Sequence, residues 1–243
     1  MSDQPATFDP HPLANEDLVR FNRAILVAAV VRGTVHSVNN ILQTIGGQAE
    51  MLSQRPEPAD EVRRRAERIS TQTGRAAGHM RELSALIREV PMAPDRVDVR
   101  VCVDRVIALR DYDLQKARIT FDAGYDTEPL PAARIDLPAL LMILLNLVLN
   151  AEHALTTVQD ARIELRVSAA DGWLTMVLRD NGPGIAADRR ERLFDAFDLA
   201  GTAPGLGLRV SRYLAEEHGG RLTLADAPTT TGASFVLELP ALA

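Results

Sequence analysis

A glycine-rich turn follows an apolar segment at residues 175–185, Thr-Met-Val-Leu-Arg-Asp-Asn-Gly-Pro-Gly-Ile. The apolar segment predicts a strand that ends at Asp180, which brings a carboxylate to the start of the turn. Gly182 and Gly184 flank Pro183, and glycine lets the backbone approach a flat ligand without interference from side chains. This pattern is typical of a nucleotide pocket.

A second glycine pair occurs in Gly205-Leu206-Gly207-Leu208, directly before a helix predicted from Arg209 to His218. The free N–H groups at the start of such a helix can bind phosphate groups. Either turn alone is a weak signal, because glycines often precede helices. In this order and at this spacing, the two turns together predict a nucleotide site.

Asn146 and Asn150 are four residues apart in a very apolar segment, which predicts a helix over about 137–157. They share one face of that helix, and buried amides need polar partners, so we expect them to face a polar cavity. Asparagine oxygens are acceptable ligands for Mg²⁺. The alternative is that both amides pack the helix by hydrogen bonding to neighbouring loops. His153, one turn past Asn150, either contacts phosphate or is a solvated helix end.

His36 lies in a helix predicted to begin at Asn15, one position after Val35 of an apolar heptad stripe. Its imidazole is therefore expected at the edge of the stripe, where solvent can reach it. An imidazole nitrogen can attack a γ-phosphoryl group. An ordinary surface histidine is the alternative, but the nucleotide site elsewhere in the chain favours a phosphoryl acceptor.

Two long helices with apolar heptad stripes occupy the first part of the chain, separated by Pro56 and Pro58. Each helix has only one apolar stripe, so we expect two such hairpins to form a four-helix bundle in a homodimer. The alternative is a bundle within one chain that uses helices from the C-terminal half. The stripe positions are Val31, Val35, Val38, Leu42, Ile45, Ala49 and Leu52 in the first helix, and Val62, Ala66, Ile69, Thr73, Ala76, Met80, Leu83, Ile87 and Val90 in the second.

The sequence predicts four regions: a loose tail at 1–15, the helical hairpin at 16–90, a linker at 91–96 and a C-terminal domain at 97–243. Strands and helices alternate in the C-terminal domain without regular βαβ repeats, so we expect a mixed sheet with helices on one face. The fold class is therefore α+β, a dimeric four-helix-bundle hairpin domain followed by an α/β sandwich. Strands are predicted near 97–101, 118–122, 162–167, 173–178, 221–225 and 233–239, a loop at 123–133, and helices near 103–116, 137–157, 187–196 and 209–218.

The composition excludes several classes of protein. The net charge is −6 and the arginines are dispersed, which argues against a nucleic-acid partner. Cys102 is the only cysteine, which excludes a disulfide framework and an all-cysteine metal site. No apolar run approaches about 18 residues without a polar interruption, and the first residues lack the pattern of a signal peptide. We therefore expect a cytoplasmic protein that does not enter the membrane.

These stretches, in this order, resemble the sensor histidine kinases of two-component signalling, closest to the soluble nitrogen-regulation type. Residues 36–42 resemble the box of the phosphorylated histidine, 146–150 the asparagine box, 180–184 the adenine-binding box and 205–208 the second glycine box. The resemblance covers about residues 30–239. It implies a Bergerat-fold ATPase domain that takes ATP and Mg²⁺.

The resemblance also implies the roles of the site residues. His36 would be phosphorylated by ATP and would pass the phosphoryl group to an aspartate of a response-regulator receiver domain. Asn40 would orient water for a phosphatase reaction, with an ordinary surface amide as the alternative. Asp180 would hydrogen-bond the adenine amino group, Asn150 would hold Mg²⁺ and the glycine backbone would bind phosphate. The nucleotide-site residues are Asn146, Asn150, His153, Asp180, Gly182, Gly184, Ile185, Gly205, Leu206, Gly207 and Leu208.

Three features depart from the family pattern. Ser37 stands where the family usually has a Glu or Asp that orients or deprotonates the histidine, and loss of a general base typically costs about 10² to 10⁴ in rate. The lid between the glycine turns, residues 198–204, has no Lys or Arg, and Pro204 stands where Thr is common. Fewer cations predict slow phosphoryl transfer. No recognisable sensory domain precedes the hairpin, so a sensory partner protein or the tail would supply the input.

The sequence leaves competing functions open. The first is an ATP-dependent protein-histidine kinase with His36 as its nucleophile. The second is a non-catalytic phosphotransfer or adaptor protein with a degenerate ATPase-like domain, which Ser37 and the uncharged lid favour and the intact glycine turns oppose. The third, a related ATPase or serine kinase, is disfavoured by the heptad hairpin that carries His36.

Overall fold

The structure is a computed structural model that describes residues 14–54, 58–87, 95–194, 206–225 and 232–242. It begins with two long helices, α1 (Asn15–Gln54) and α2 (Ala59–Ile87), which pack against each other as a hairpin. The side chain of Arg65 in α2 donates to Gln48 in α1, so the two helices run antiparallel. The predicted hairpin is confirmed.

Some apolar residues of the hairpin are buried within one chain, and others remain exposed. Leu83, a stripe residue of α2, is buried in the core that also contains the sheet and its helices, and Ile41, next to the stripe residue Leu42, is buried as well. Val35 and Leu42, two stripe residues of α1, remain 48% and 54% exposed. The hairpin therefore buries only part of its apolar surface within one chain.

A mixed sheet follows the hairpin. Its strand order is β1-β3-β7-β5-β4-β2, and β6 also pairs with β7. The pair β2 and β4 is parallel, whereas the other described pairs are antiparallel. The strands are β1 (Asp95–Val97), β2 (Thr120–Tyr125), β3 (Ala132–Ile135), β4 (Arg162–Ala170), β5 (Trp173–Asp180), β6 (Arg221–Leu224) and β7 (Ser234–Leu242).

The hairpin between β4 and β5 shows how local sequence sets the register. Asp171 and Gly172 form the turn with positive φ angles of 52° and 78°, which is the backbone that a two-residue hairpin with right-handed twist requires. Ala170 therefore pairs with Trp173, and alternate residues along both strands face the core.

Helices α3 (Val99–Ala117), α4 (Leu137–Ala154) and α6 (Leu206–Glu217) cover one face of the sheet, and α5 (Ala187–Arg190) is a short helix after β5. Helix α4 is the centre of this layer, because most of its side chains are buried from Ala139 to Val148. The predicted α+β class is confirmed, with a helical hairpin followed by a sheet and helix sandwich.

Some predicted boundaries were wrong. The strand predicted over 97–101 ends at Val97, because the Asp98 carboxylate accepts the N–H of Arg100 at 2.9 Å and caps α3. Strand β3 lies at the end of the predicted loop 123–133 and pairs with both β1 and β7. Strand β1 begins at Asp95, inside the predicted linker. The rest of the predicted linker, residues 91–94, lies outside the described residues, as do residues 1–13 of the predicted tail 1–15 and the lid at 198–204.

The first half of α1 packs on the sandwich as well as on α2. Leu18, Leu26 and Val30 of α1 are almost fully buried and belong to the same core as the sheet and its helices. Helix α1 contacts α3 and α6 of the sandwich. Packing with helices from the C-terminal half was the alternative to a homodimer that the sequence left open, and this contact joins the hairpin to the C-terminal domain.

Helices α1 and α4 are long and apolar enough to cross a membrane by length and composition alone. In α4, 61% of the most apolar window is buried within the protein, and Asn146 and Asn150 interrupt it, as expected for a core helix. In α1, 28% of the most apolar window is buried within the protein.

Candidate functional site

Asp180 is held by backbone groups at the end of β5. Its side chain is only 4% exposed, and Oδ1 accepts the N–H of Gly182 at 2.8 Å and the N–H of Ala233 at 3.2 Å. Burial raises the pKa of this carboxyl, although the two N–H donors act in the opposite direction. The two backbone bonds fix the direction in which the carboxylate points.

Three glycines are required by the close packing around Asp180. A Cβ at Gly182 would lie 2.8 Å from Asp180 Oδ1, and one at Gly232 would lie 1.9 Å from the Asp180 carbonyl oxygen. Gly184 has a φ of +77° and faces the Gly232 carbonyl, where a Cβ would lie at 3.0 Å. The sequence predicted Gly182 and Gly184 but missed Gly232, whose only signal is its position just before the last strand. Ile185 packs against the core next to this turn.

Asn146 joins α4 to the start of α6. Its Nδ2 donates to the Gly207 carbonyl at 3.1 Å and to Ser211 Oγ at 3.0 Å, and its side chain is buried. A Cβ at Gly207 would lie 3.0 Å from Asn146 Oδ1, so this glycine permits the close approach of the two helices. Asn146 thus packs α4, as in the alternative that the sequence left open, but its partners lie on helix α6 rather than on a loop. A direct contact with nucleotide stays a prediction.

The N-terminal turn of α6 is anchored by Leu206 and Leu208, whose side chains are buried in the core. Gly205, the first glycine of this predicted box, lies outside the described residues. The first turn of α6 is therefore fixed by apolar packing and by the hydrogen bond from Asn146 to the Gly207 carbonyl.

Asn150 differs from Asn146 although it lies one turn further along the same helix. Its Nδ2 is buried and has no hydrogen-bond partner among the described residues. Rotation of the amide by 180° exchanges Nδ2 and Oδ1, so this uncommitted side chain can present an oxygen to a hard cation. The arrangement fits a ligand of Mg²⁺. His153, in the last turn of α4, is exposed to solvent.

Arg110 forms a buried charge cluster between three helices. Its guanidinium binds both carboxylate oxygens of Glu152 in α4, at 2.9 Å and 2.6 Å. Its Nη1 donates to the Ala29 carbonyl of α1 at 3.1 Å and lies 2.9 Å from Asp113 Oδ2. The hydrogen bond to Glu152 raises the pKa of Arg110 against the effect of burial. No sequence pattern indicates this pairing, although Glu152 is a charged residue within an apolar helix.

His36 is exposed, as predicted, and its ring stacks on Tyr112 of α3. The two ring centroids are 4.9 Å apart and the ring planes differ by 2°. Ser37 and Asn40 line an adjoining cleft of about 250 Å³ between α1, α2 and α3, together with Ile41, Thr44, Gln72, Arg75, His79, Asp111, Tyr112 and Gln115. None of the described nucleotide-site residues lines that cleft, so the acceptor and the nucleotide residues are two separate sites in this conformation.

Comparison with known proteins identifies the C-terminal part of the chain. Residues 135–243 match the family of histidine kinase-, DNA gyrase B-, and HSP90-like ATPases. The catalytic domain of the histidine kinase ThkA is 26% identical, with a TM-score of 0.53, and covers 62% of this chain and 97% of its own.

The likeness also extends over the hairpin. The sensor histidine kinase ZraS of Escherichia coli (strain K12) is 27% identical over 94% of this chain and 48% of the relative. The sensory histidine kinase/phosphatase NtrB of Azospirillum brasilense is 28% identical over 93% of this chain and 58% of the relative. The chain spans about half the length of these curated relatives. With the fold, these likenesses show that residues 135–243 form a domain of the histidine kinase-, DNA gyrase B-, and HSP90-like ATPases, and that the chain is similar to sensor histidine kinases over most of its length.

Proposed function

We propose that this protein is an ATP-dependent protein-histidine kinase. His36 receives the γ-phosphoryl group of ATP and passes it to an aspartate of a response-regulator receiver domain. The observation that carries this proposal is the combination of a rigid carboxylate and glycine pocket at Asp180 with an exposed histidine on a helical hairpin.

The pocket at Asp180 suits the adenine ring of ATP. A carboxylate that is held by two backbone N–H groups presents an acceptor to the exocyclic amino group of adenine. Gly182, Gly184 and Gly232 keep this wall free of side chains, so that a flat base can approach the backbone. The first turn of α6 offers backbone N–H groups to the phosphates.

Asn150 is the residue that would hold Mg²⁺, because its buried Nδ2 has no hydrogen-bond partner among the described residues. When bound, Mg²⁺ neutralises charge on the phosphates and thereby stabilises phosphoryl transfer. His153 is exposed one turn further along α4, and its proposed role is to contact the phosphates, with a solvated helix end as the alternative.

The imidazole of His36 acts as the nucleophile. One ring nitrogen forms the N–P bond as the bond between the γ-phosphorus and the leaving oxygen of ADP breaks. Ser37 is no base near neutral pH, so the reaction lacks the adjacent carboxylate of the family. The lid at 198–204 also has no Lys or Arg. We therefore propose slow phosphoryl transfer, and expect Ser37→Glu to raise the rate of autophosphorylation.

Asn40 supports a second activity of the same site, hydrolysis of the regulator's acyl phosphate. Its side chain is exposed one turn after His36 and lines the cleft next to it, where an amide can orient water. The relative NtrB is named a kinase/phosphatase.

The exposed apolar residues of the hairpin support a homodimer. Val35 and Leu42 on α1, and Val62 and Met80 on α2, are more than 40% exposed in one chain. These side chains lie on the heptad stripes, so a second hairpin can bury them in a four-helix bundle.

A response regulator is the proposed partner, and one solved relative, ThkA, is described in complex with the response regulator protein TrrA. That structure is 20% identical to this chain with a TM-score of 0.53, which shows the fold. We propose that the described domains lie in the cytoplasm, where ATP and regulators are available.

A non-catalytic adaptor is the second candidate function, favoured by Ser37 and the uncharged lid. Incubation with γ-labelled ATP and Mg²⁺ separates the two candidates. We expect acid-labile label on the wild type and on His79→Gln, a control in the second helix, and none on His36→Ala or Asp180→Ala. ATP binding without any label on the wild type would establish the adaptor instead.

A further inference from the structure

The charge environment of His36 lacks the usual acidic neighbour. Ser37 follows it directly, and a hydroxyl neither balances positive charge nor fixes a ring as strongly as a carboxylate does. The imidazole gains positive charge when one of its nitrogens attacks phosphorus. A group from another element can orient the ring and stabilise part of that charge.

The aromatic face of Tyr112 lies against the His36 ring. The separation of 4.9 Å between centroids and the angle of 2° between planes define a parallel stack. The lone pair of an imidazole nitrogen lies in the ring plane and points away from the ring edge. Stacking therefore covers one face of His36, restricts rotation of the ring and leaves both nitrogens free to react.

Tyr112 is held in place by contacts on both sides of it in α3. Arg110 binds the Ala29 carbonyl of α1, two turns before His36. Asp113 packs against Gly33, where a Cβ would lie 2.4 Å from Asp113 Oδ2. These contacts fix the spacing of α1 and α3, so the Tyr112 ring is positioned over His36 by buried groups rather than by its own side chain alone.

A stacked aromatic ring can stabilise positive charge on the His36 imidazole, as an acidic neighbour would. The face of an aromatic ring carries negative potential and attracts a cation within about 6 Å of its centroid. An imidazole that develops positive charge on this face is stabilised more than a neutral imidazole is, so the interaction strengthens toward the transition state.

We propose that Tyr112 is a positioning residue for His36, which orients the imidazole and stabilises its developing positive charge in place of the family's acidic neighbour. This inference rests on the proposed function of His36 as a phosphoryl acceptor. It assigns part of the acceptor site to α3 of the C-terminal domain rather than to the hairpin alone.

The test compares Tyr112→Phe, which keeps the aromatic face, with Tyr112→Leu, which removes it. Two phosphoryl donors are used with the full chain: γ-labelled ATP with Mg²⁺, and phosphoramidate, which can phosphorylate histidine without the nucleotide site. We expect Tyr112→Leu to slow phosphorylation of His36 by about 3- to 30-fold with either donor, with an unchanged KM for ATP. We expect Tyr112→Phe to retain the wild-type rate.

An NMR spectrum of the histidine ring protons reports the stacking of His36 on residue 112 directly, independently of any change in protein stability. The ring-current shift of His36 should be present in the wild type and in Tyr112→Phe, and lost in Tyr112→Leu. A rate with phosphoramidate that is unchanged or faster in Tyr112→Leu overturns the inference. Labelling of the wild type by phosphoramidate but not by ATP refutes the kinase proposal, while the two variants still decide the role of Tyr112.

Discussion

Asp180 carries its charge where burial disfavours it. Because burial raises the pKa of this carboxyl in the folded protein, its contribution to stability is largest below the pKa of the unfolded chain and is lost as the pH rises through the folded value. At neutral pH the ionised side chain therefore costs stability. A carboxylate that destabilises the fold at this position is expected if it binds a ligand.

We predict that Asp180→Asn stabilises the protein at neutral pH and abolishes ATP binding. The amide keeps an oxygen for the N–H groups of Gly182 and Ala233 but has no charge to bury. The expected rise in Tm at pH 7.5 is about 2–4 °C, as for a gain of about 1 kcal/mol in a chain of this size. Thermal unfolding should show a smaller gain near pH 4, and a lower Tm at pH 7.5 would contradict the burial argument.

His218 is a buried histidine with an acceptor at each ring nitrogen. Nδ1 lies 2.8 Å from the Leu214 carbonyl and Nε2 lies 3.1 Å from Asp136 Oδ2. A neutral imidazole can donate from only one nitrogen, so this geometry favours the imidazolium. The hydrogen bond to Asp136 is the main reason that the pKa of His218 is raised above its ordinary value of 6.5.

This pair predicts a pH-dependent stability. With a raised pKa, the stabilisation is fully present below about pH 6.5 and is lost as the pH rises through the folded value. Chemical denaturation from pH 6 to pH 9 should therefore give a falling free energy of unfolding. His218→Gln should flatten that dependence over the same range, and an equally steep fall in the variant would show that other groups cause it.

The residues predicted from sequence are those whose chemistry is local. Asp180, Gly182 and Gly184 were found because a turn and the strand before it are adjacent in the chain. Gly232 and the partners of Arg110 were missed because they meet only through long-range pairing, for example over 81 residues from Arg110 to Ala29.

At the scale of elements, the close contact between α1 and α3 depends on Gly33, which has no side chain. Gly33 lets Asp113 approach the backbone of α1, and Asp113 Oδ2 is in turn 2.9 Å from Arg110. An added Cβ would force Asp113 away from Arg110 or separate the two helices. Gly46, in the same helix, has nothing within 4 Å of an added Cβ.

We therefore predict that a glycine-to-alanine substitution changes the free energy of unfolding differently at Gly46 and at Gly33. Gly46→Ala should stabilise the protein by about 0.5–1 kcal/mol, because alanine has the higher helix propensity. Gly33→Ala should be less stable than Gly46→Ala by about 1–3 kcal/mol, as for overpacking at a buried contact. Urea unfolding of the pair measures the difference, and equal stabilities would show that α1 does not rest on α3 in solution.

Element types were predicted better than element ends. The strand over 97–101 had apolar residues at alternate positions, and the pattern did not reveal that Asp98 caps a helix there. Strand β3 was missed because a short strand after two prolines has too few residues to show a period.

At the scale of the whole molecule, the hairpin and the sandwich share one core. Leu18, Leu26 and Val30 of α1 are buried with residues of the sandwich. The heptad pattern predicted α1 as a helix, but an apolar stripe does not specify whether α2, another copy or the sandwich will cover it. Helix α1 uses its first half for the sandwich and keeps exposed stripe residues further along.

The exposed stripe predicts the oligomeric state. Leu42→Asp places a charge on a stripe residue that is 54% exposed in one chain, so it should convert a dimer to a monomer without unfolding it. Gln43→Asp changes the adjacent exposed residue, which lies off the stripe, and should remain dimeric. Analytical ultracentrifugation distinguishes these outcomes, and a monomeric wild type at high concentration would contradict the predicted bundle.

The central claim is that ATP phosphorylates the imidazole of His36, and the adjacent Ser37 offers a hydroxyl that the same ATPase domain could use. Mapping the phosphorylated peptide after incubation with ATP and Mg²⁺ tests the claim most directly, because a phosphorylated histidine is acid-labile and a serine phosphate is acid-stable. We predict an acid-labile phosphoryl group on the peptide that contains His36, retained in Ser37→Ala and lost in His36→Gln. An acid-stable phosphate on Ser37, or no phosphorylated peptide in a protein that binds ATP, would contradict the claim.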